Sequence, residues 1–105
     1  GILVPTNYSP WGSPIVPVIK KGGGVRICGD FKLTSNKFLK VDQHPLPTIE
    51  SLFQKAQGSR IFARLDLSSA FQQIELNPKC HELVTITTHK GLFYYTRLPY
   101  GVSPA

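Results

Sequence analysis

Asp66 is the residue with the clearest potential for metal chemistry. It follows a mostly apolar run at residues 61–65 and precedes two small hydroxyl residues, Ser68 and Ser69. An aspartate in such a place commonly caps a helix or closes a turn, because its carboxylate accepts backbone hydrogen bonds. A carboxylate at the end of a strand also suits Mg²⁺, which prefers hard oxygen ligands and substrate phosphates. The local sequence favours the turn and leaves a metal site as the alternative.

A two-metal phosphoryl or nucleotidyl transfer needs more carboxylates than Asp66 supplies, because one ion activates the attacking hydroxyl and the other stabilises the leaving pyrophosphate. The remaining acids show no paired arrangement in the sequence: Asp30, Asp42, Glu50, Glu75 and Glu82. Further carboxylates would have to come from elsewhere. The histidines lack zinc-ligand spacing with either cysteine, so no zinc site is expected.

Positive charge is the second chemical feature. The net charge is +6, and six basic residues lie in one stretch whose one acid is Asp30: Lys20, Lys21, Arg26, Lys32, Lys37 and Lys40. A patch of this kind favours a polyanionic partner such as nucleic acid or a nucleotide. A solvated face that keeps the domain soluble explains the charge equally well.

A β-hairpin is expected to present part of this charge. Residues 15–21 and 25–28 are rich in β-branched side chains, and three glycines separate them. This pattern predicts a hairpin whose tip carries Lys20, Lys21 and Arg26. It is not a P-loop, because the G-x-x-x-x-G-K-[ST] spacing is absent. The proline-rich residues 1–17 are expected to be extended and non-helical.

The rest of the chain predicts one short helix and several strands. Residues 49–56 carry apolar side chains at helical spacing, so a helix capped by Thr48 and ended by Gly58 should turn an apolar stripe to the core. Residues 61–67 and 72–76 are expected to be strands around a turn or single helical turn. Alternation at residues 84–88 and 92–98 predicts a second hairpin. These elements indicate an α+β fold.

Composition limits the class of protein. With 105 residues, 41% hydrophobic and 17% charged, the chain is expected to form one globular domain. No apolar run is long enough for a membrane span, and two cysteines make no disulfide framework, which favours a reducing intracellular compartment. The sequence contains no methionine. We therefore expect a processed piece or a fragment of a longer reading frame.

Six short segments together resemble the front part of the reverse transcriptase in the Pol polyprotein of a gypsy-type LTR retrotransposon. Each is weak alone, but they follow the family's order along nearly the whole chain. The segments are residues 13–18 (SPIVPV), 25–31 (VRICGDF), 40–47 (KVDQHPLP), 65–74 (LDLSSAFQQI), 88–93 (THKGLF) and 97–102 (RLPYGV).

The resemblance implies a partial right-hand polymerase, with a fingers β-hairpin, an incomplete palm of antiparallel strands and a short amphipathic helix. Residues 1–60 would be mainly fingers, 61–76 the start of the palm, and 77–105 a hairpin between fingers and palm. The Y-x-D-D half of the palm, the thumb and RNase H are expected beyond Ala105. The implied activity is RNA-directed DNA synthesis, and we expect the 105-residue chain alone to be inactive because the Y-x-D-D carboxylates are missing.

The resemblance also assigns roles to single residues. Asp66 matches the first catalytic aspartate, which binds both Mg²⁺ ions, and the backbone carbonyl of Leu67 would be a further ligand. Lys21 and Arg26 match the fingers residues that grip the triphosphate of the incoming nucleotide.

The same match places four more residues at the nucleotide. The backbone amides of Ser69 and Ala70 would face the triphosphate. Phe71 would close the pocket beneath the sugar and exclude a ribose 2′-hydroxyl, although tyrosine is common at that position. Tyr100 falls in the loop that lines the pocket.

The implied partners are an RNA or DNA template-primer, a deoxynucleoside triphosphate and the remainder of the Pol polyprotein, with no membrane. Four lysines would form the nucleic-acid patch: Lys20, Lys32, Lys37 and Lys40. The implied location is a cytoplasmic retroelement particle, with the nucleus as a second site. The alternative is a non-catalytic nucleic-acid-binding remnant of a degenerate or host-adopted retroelement, because the basic patch does not depend on the catalytic carboxylates.

Overall fold

The chain folds around two antiparallel sheets in a computed structural model that describes residues 1–41 and 44–104. The predicted acid Asp42 lies outside the described residues. The five strands, β1 to β5, are Leu3–Thr6, Ile15–Ile19, Val25–Gly29, Thr85–Thr88 and Gly91–Tyr95. Helix α1, Ile49–Ala56, lies between β3 and β4 in the chain. Short 3₁₀ turns occupy Ser35–Lys37, Phe71–Gln73 and Pro78–Val84.

The predicted glycine hairpin is confirmed as the antiparallel pair β2–β3, with Ile19 opposite Val25. Its loop closes when the Lys20 amide donates to the Gly24 carbonyl at 3.0 Å. Gly24 has φ of +81°, a value that side chains disfavour, so this loop needs glycine. The expectation that Arg26 sits at the tip is wrong, because β3 begins at Val25 and Arg26 is already paired with Val18.

The second sheet has the order β1-β5-β4, and its β4–β5 hairpin confirms the alternation read from the sequence. Strand β1 was expected only as extended chain. It pairs with β5, placing Leu3 opposite Tyr95 and Pro5 opposite Phe93. Pro5 is tolerated because β1 is an edge strand, where a missing amide donor need not break a ladder.

A small core joins the two sheets. Phe31, Val84, Ile86 and Tyr95 are buried at its centre. Packed against them are Ile15, Leu76, Phe93 and Val102. Ser13 connects the sheets through backbone bonds, donating to the Thr85 carbonyl at 3.0 Å and accepting from the Thr87 amide at 2.7 Å. The core therefore fixes the hairpin β2–β3 relative to β5.

The predicted strand at residues 61–67 does not form. These residues adopt no regular structure, and both Ile61 and Leu65 are 92% exposed. A strand needs a partner for its amides and carbonyls, and none of the described strands pairs with this segment. The predicted strand at 72–76 is also largely wrong, since Phe71–Gln73 is a 3₁₀ turn followed by a single bridge between Glu75 and Arg97.

The predicted helix is confirmed as α1, with the predicted bounds. Its predicted cap is confirmed too, because the Thr48 hydroxyl accepts a hydrogen bond from the Ser51 amide at 3.2 Å. The expectation that its apolar stripe is core is wrong. Ile49 is 70% and Phe53 72% exposed, so most of this face is not buried. The radius of gyration, 17.5 Å, accordingly exceeds the roughly 13 Å of a compact domain of about 100 residues. None of the described helices is both long and apolar enough to cross a membrane.

Candidate functional site

A cavity of about 540 Å³ opens where three segments meet: the hairpin β2–β3, the turn before Phe71–Gln73, and the loop after β5. Its volume lies within the range of small-ligand pockets. The sheet β1-β5-β4 supplies one wall. The lining residues are Ile2, Leu3, Lys20, Val25, Arg26, Ile27, Ser68, Ser69, Gln72, Tyr95 and Tyr100.

Tyr100 contacts both Arg26 and Phe71 in a stack beside this cavity, which Arg26 and Tyr100 line and Phe71 does not. The Cζ atom of Arg26 lies 4.5 Å from the centroid of the Tyr100 ring. The Phe71 and Tyr100 centroids are 5.1 Å apart with the rings tilted by 48°. A guanidinium over an aromatic face is attracted by the ring quadrupole. Tyr100 therefore links the hairpin to the segment that follows Asp66.

The turn at residues 68–70 presents backbone amides. Ser69 has φ of +49°, in the left-handed region, and Ala70 follows in the right-handed helical region. The Ser69 and Ala70 carbonyls accept from the Gln72 and Gln73 amides, at 3.0 and 3.3 Å. Neither the Ser69 nor the Ala70 amide donates a hydrogen bond within the described chain. Successive amides in such a turn form a concavity that suits an anion.

A side-chain contact holds this turn in place. The Nε2 amide of Gln73 donates to the Ser68 carbonyl at 2.7 Å. The turn is thus secured through its carbonyl groups, which leaves its amides free for a ligand. The left-handed conformation of Ser69 is uncommon for a residue with a side chain, and strained positions of this kind concentrate at functional sites.

The hairpin lysines differ in position. Lys20 lines the cavity, whereas Lys21 is exposed in the adjoining turn and is not among the lining residues. The other three patch lysines, Lys32, Lys37 and Lys40, are exposed on the connection after β3. None of these three lysines lines the cavity. The predicted basic stretch is therefore divided between the hairpin β2–β3 and the connection that follows it.

Asp66 lies in the irregular segment just before the turn and is exposed. In residues 1–41 and 44–104, no three His, Cys, Asp or Glu side chains are grouped as a metal site. The donor set at this point is one carboxylate with the Leu67 carbonyl beside it in sequence. Such a set fits one Mg²⁺ that takes its other ligands from phosphate oxygens and water. It does not fit two ions.

Seven lining residues were not predicted from the sequence as site residues: Ile2, Leu3, Val25, Ile27, Ser68, Gln72 and Tyr95. Gln72 carried no signal, and Tyr95 could be assigned to a face of β5 only once the partners of that strand were known. Burial raises the pKa of the Tyr95 phenol above its usual value, and the nearby Cys28 raises it further. Tyr95 is only 3% exposed and belongs to the core as well as to the cavity wall.

The comparisons with known proteins identify the family of this chain. Residues 18–105 match the family described as Reverse transcriptase (RNA-dependent DNA polymerase). An uncharacterized protein of Caenorhabditis elegans is 42% identical over 107 residues, and the Tf2-3 transposon polyprotein of Schizosaccharomyces pombe is 40% identical over 92 residues. These alignments cover 100% and 88% of this chain, but only 8% and 7% of the two relatives.

A solved structure gives the same answer for the fold. The native Prototype Foamy Virus Protease-Reverse Transcriptase matches with a TM-score of 0.69 and 25% sequence identity, over 95% of this chain and 13% of that one. The two sheets are therefore part of a right-hand polymerase fold. The chain belongs to the reverse transcriptase family.

Proposed function

We propose that this chain carries the nucleotide-binding face of an RNA-directed DNA polymerase from a gypsy-type LTR retrotransposon. The observation that carries the proposal is the placement of Arg26 on Tyr100 at a cavity that Ser69 also lines, at the turn where the Ser69 and Ala70 amides donate no hydrogen bond within the described chain. A guanidinium and backbone amides make charge-assisted hydrogen bonds to phosphate oxygens. The triphosphate of a deoxynucleotide is the ligand that this combination suits.

Each residue at the cavity has a role in this proposal. Arg26 binds the triphosphate, and Lys21 contributes from the flexible hairpin tip, with Lys20 nearer the cavity wall. The amides of Ser69 and Ala70 bind phosphate oxygens. Phe71, which is 36% exposed beside Tyr100, supports the sugar and excludes a 2′-hydroxyl by contact. Tyr100 contacts both the Arg26 and the Phe71 side chains.

Asp66 and the Leu67 carbonyl would hold Mg²⁺ in this site. When bound, Mg²⁺ supplies charge neutralisation at the phosphates and lowers the pKa of the attacking primer hydroxyl. The reaction joins the primer 3′-oxygen to the α-phosphorus and releases pyrophosphate. The residues of this chain bind and orient the triphosphate for that attack, and further carboxylates are needed for a second ion.

The wider context is part of the same proposal. Residues 1–60 act mainly as fingers, 61–76 as the start of the palm and 77–105 as the hairpin between them, within a Pol polyprotein that binds an RNA or DNA template-primer. A retroelement particle in the cytoplasm, and the nucleus, are the proposed locations. The match to transposon polyproteins supports the polyprotein context.

Equilibrium binding of deoxythymidine triphosphate to the 105-residue chain tests the proposal. We expect Arg26→Ala to weaken binding at least tenfold, because it removes a charged partner of the phosphates. Arg60→Ala is the matched control, since Arg60 is exposed and lies outside the cavity lining. Equal losses in the two variants would show that only net charge matters and would contradict a built site.

Non-catalytic binding of nucleic acid is the second candidate function. The observation in its favour is the exposure of Lys32, Lys37 and Lys40 on one connection, away from the cavity. Binding of this kind is independent of sequence and falls steeply with salt, because neutralised phosphates release counterions. Filter binding of a single-stranded RNA at two salt concentrations tests it, and binding that is absent or insensitive to salt would rule it out.

A further inference from the structure

The side chain of Asn36 holds the loop that carries Tyr100. Its Nδ2 atom donates to the Gly101 carbonyl at 2.8 Å, and its Oδ1 atom accepts from the Ser103 amide at 2.9 Å. Both ends of the carboxamide are therefore used, one as donor and one as acceptor. This pair of contacts defines the orientation of the side chain as well as the position of the loop.

The loop is also pressed against the end of β3. Gly101 has φ of +100°, and a Cβ atom at this position would collide with the Gly29 carbonyl oxygen. Gly29 in turn lies against the ring of the fully buried Phe31. The Asn36 amide donates to the Phe31 carbonyl at 3.0 Å, which anchors Asn36 to the core. Both Asn36 and the Gly101 loop therefore contact the segment of Gly29 and Phe31.

Tyr100 is the residue directly before Gly101, so its contacts with Arg26 and Phe71 depend on this loop. Asn36 is absent from the cavity lining and does not reach a ligand bound there. We propose that Asn36 is a positioning residue of the nucleotide site, which acts by fixing Tyr100 in the stack. This inference rests on the proposed nucleotide-binding function.

A double-mutant cycle on deoxythymidine triphosphate binding by the 105-residue chain tests the inference. If Asn36 acts through Tyr100, Asn36→Ala and Tyr100→Ala each weaken binding roughly tenfold, and the double variant is no weaker than Tyr100→Ala alone. Additive losses, or unchanged affinity in Asn36→Ala, would overturn the proposal. A merely structural role for Asn36 does not produce the non-additivity.

The control is another asparagine that makes a side-chain bond to a backbone amide. Asn77 accepts from the Lys79 amide at 3.0 Å and lies outside the cavity lining. We expect Asn77→Ala to change affinity less than twofold. A loss as large as that of Asn36→Ala would mean that general loosening explains both, and would overturn the proposal.

A milder variant covers the case in which Asn36→Ala fails to fold. Asn36→Asp keeps the volume and the acceptor for the Ser103 amide but replaces the donor to Gly101 by a repelling oxygen. We expect weaker nucleotide binding in this variant too, and wild-type affinity would overturn the proposal. If the wild-type chain itself binds no triphosphate, the proposed function fails and this inference fails with it. If the wild-type chain binds triphosphate and the Asn36 variants bind it equally well, only this inference is overturned.

Discussion

The guanidinium of Arg26 lies over the face of Tyr100, with Cζ 4.5 Å from the ring centroid. The ring quadrupole attracts the guanidinium, whose N–H groups are donors that suit phosphate oxygens. The hairpin β2–β3 is thereby held beside the turn that contains Ser69.

Gly101 is predicted to tolerate no side chain. Gly101→Ala adds a Cβ atom against the Gly29 carbonyl in a backbone conformation with positive φ, so we expect a loss of about 2 kcal/mol or more of unfolding free energy. The matched control is Gly22→Ala, where no atom lies within 4 Å and φ is not positive; it should stay within about 0.5 kcal/mol. Urea unfolding, followed by the fluorescence of the single tryptophan, measures both, and equal midpoints would contradict the close approach.

Two isoleucines should differ sharply in their contribution to stability. Ile86 is 1% exposed in the core, so Ile86→Ala should cost about 2–5 kcal/mol. Ile61 is 92% exposed in the segment that was expected to be a strand, so Ile61→Ala should change stability by less than about 0.5 kcal/mol. Urea unfolding curves compare the two variants. A large loss for Ile61→Ala would show that this segment packs in solution.

Tyr95 is predicted to make the fold sensitive to high pH. Its pKa is raised above 10.0 in the folded chain, chiefly because burial disfavours the phenolate and then because of Cys28. The folded state therefore holds the proton more tightly than the unfolded state. The resulting stabilisation is complete below about pH 10 and is lost as the pH rises through the raised pKa. Unfolding free energies from pH 8 to pH 11 should fall more steeply for the wild type than for Tyr95→Phe, and parallel curves would contradict this.

The 105-residue chain is predicted to show no primer extension with Mg²⁺ and deoxynucleotides. Asp66 with the Leu67 carbonyl fits one ion, and no group of three metal-ligating side chains exists among the described residues. A two-ion mechanism requires more carboxylates. Incorporation of labelled nucleotide on a primed template measures the activity. Template-dependent extension that Asp66→Asn abolishes would contradict the prediction.

Local sequence was sufficient for elements whose stabilising contacts are local. The hairpin β2–β3 follows from its glycines, and α1 follows from Thr48 and helical spacing. Residues 61–67 have the composition of a strand, but a strand exists only with a partner, which local pattern does not supply. The pairing of β1 with β5 was missed for the same reason, since the partner lies at the far end of the chain.

The site was predictable to a similar extent. The resemblance named Arg26, Ser69, Phe71 and Tyr100, and the structure brings these four together. The cavity lining does not include the other predicted site residues of these segments, and the roles of all the site residues remain predictions. Outside the lining lie Lys21, Asp66, Leu67, Ala70 and also Phe71, which contacts Tyr100. The clamp by Asn36 had no sequence signal, because it depends on two backbone groups that approach only when the loop after β5 folds onto β3.

Nuclear magnetic resonance of the ¹⁵N-labelled chain, titrated with deoxythymidine triphosphate, tests the nucleotide site most directly. Binding in the cavity should shift the Arg26 side-chain Nε–H signal and the backbone amides of Ser69 and Ala70, and should do so at the same ligand concentration. Shifts confined to the exposed lysines of the connection after β3, or no shifts at all, would contradict a nucleotide site built on the stack of Arg26, Tyr100 and Phe71.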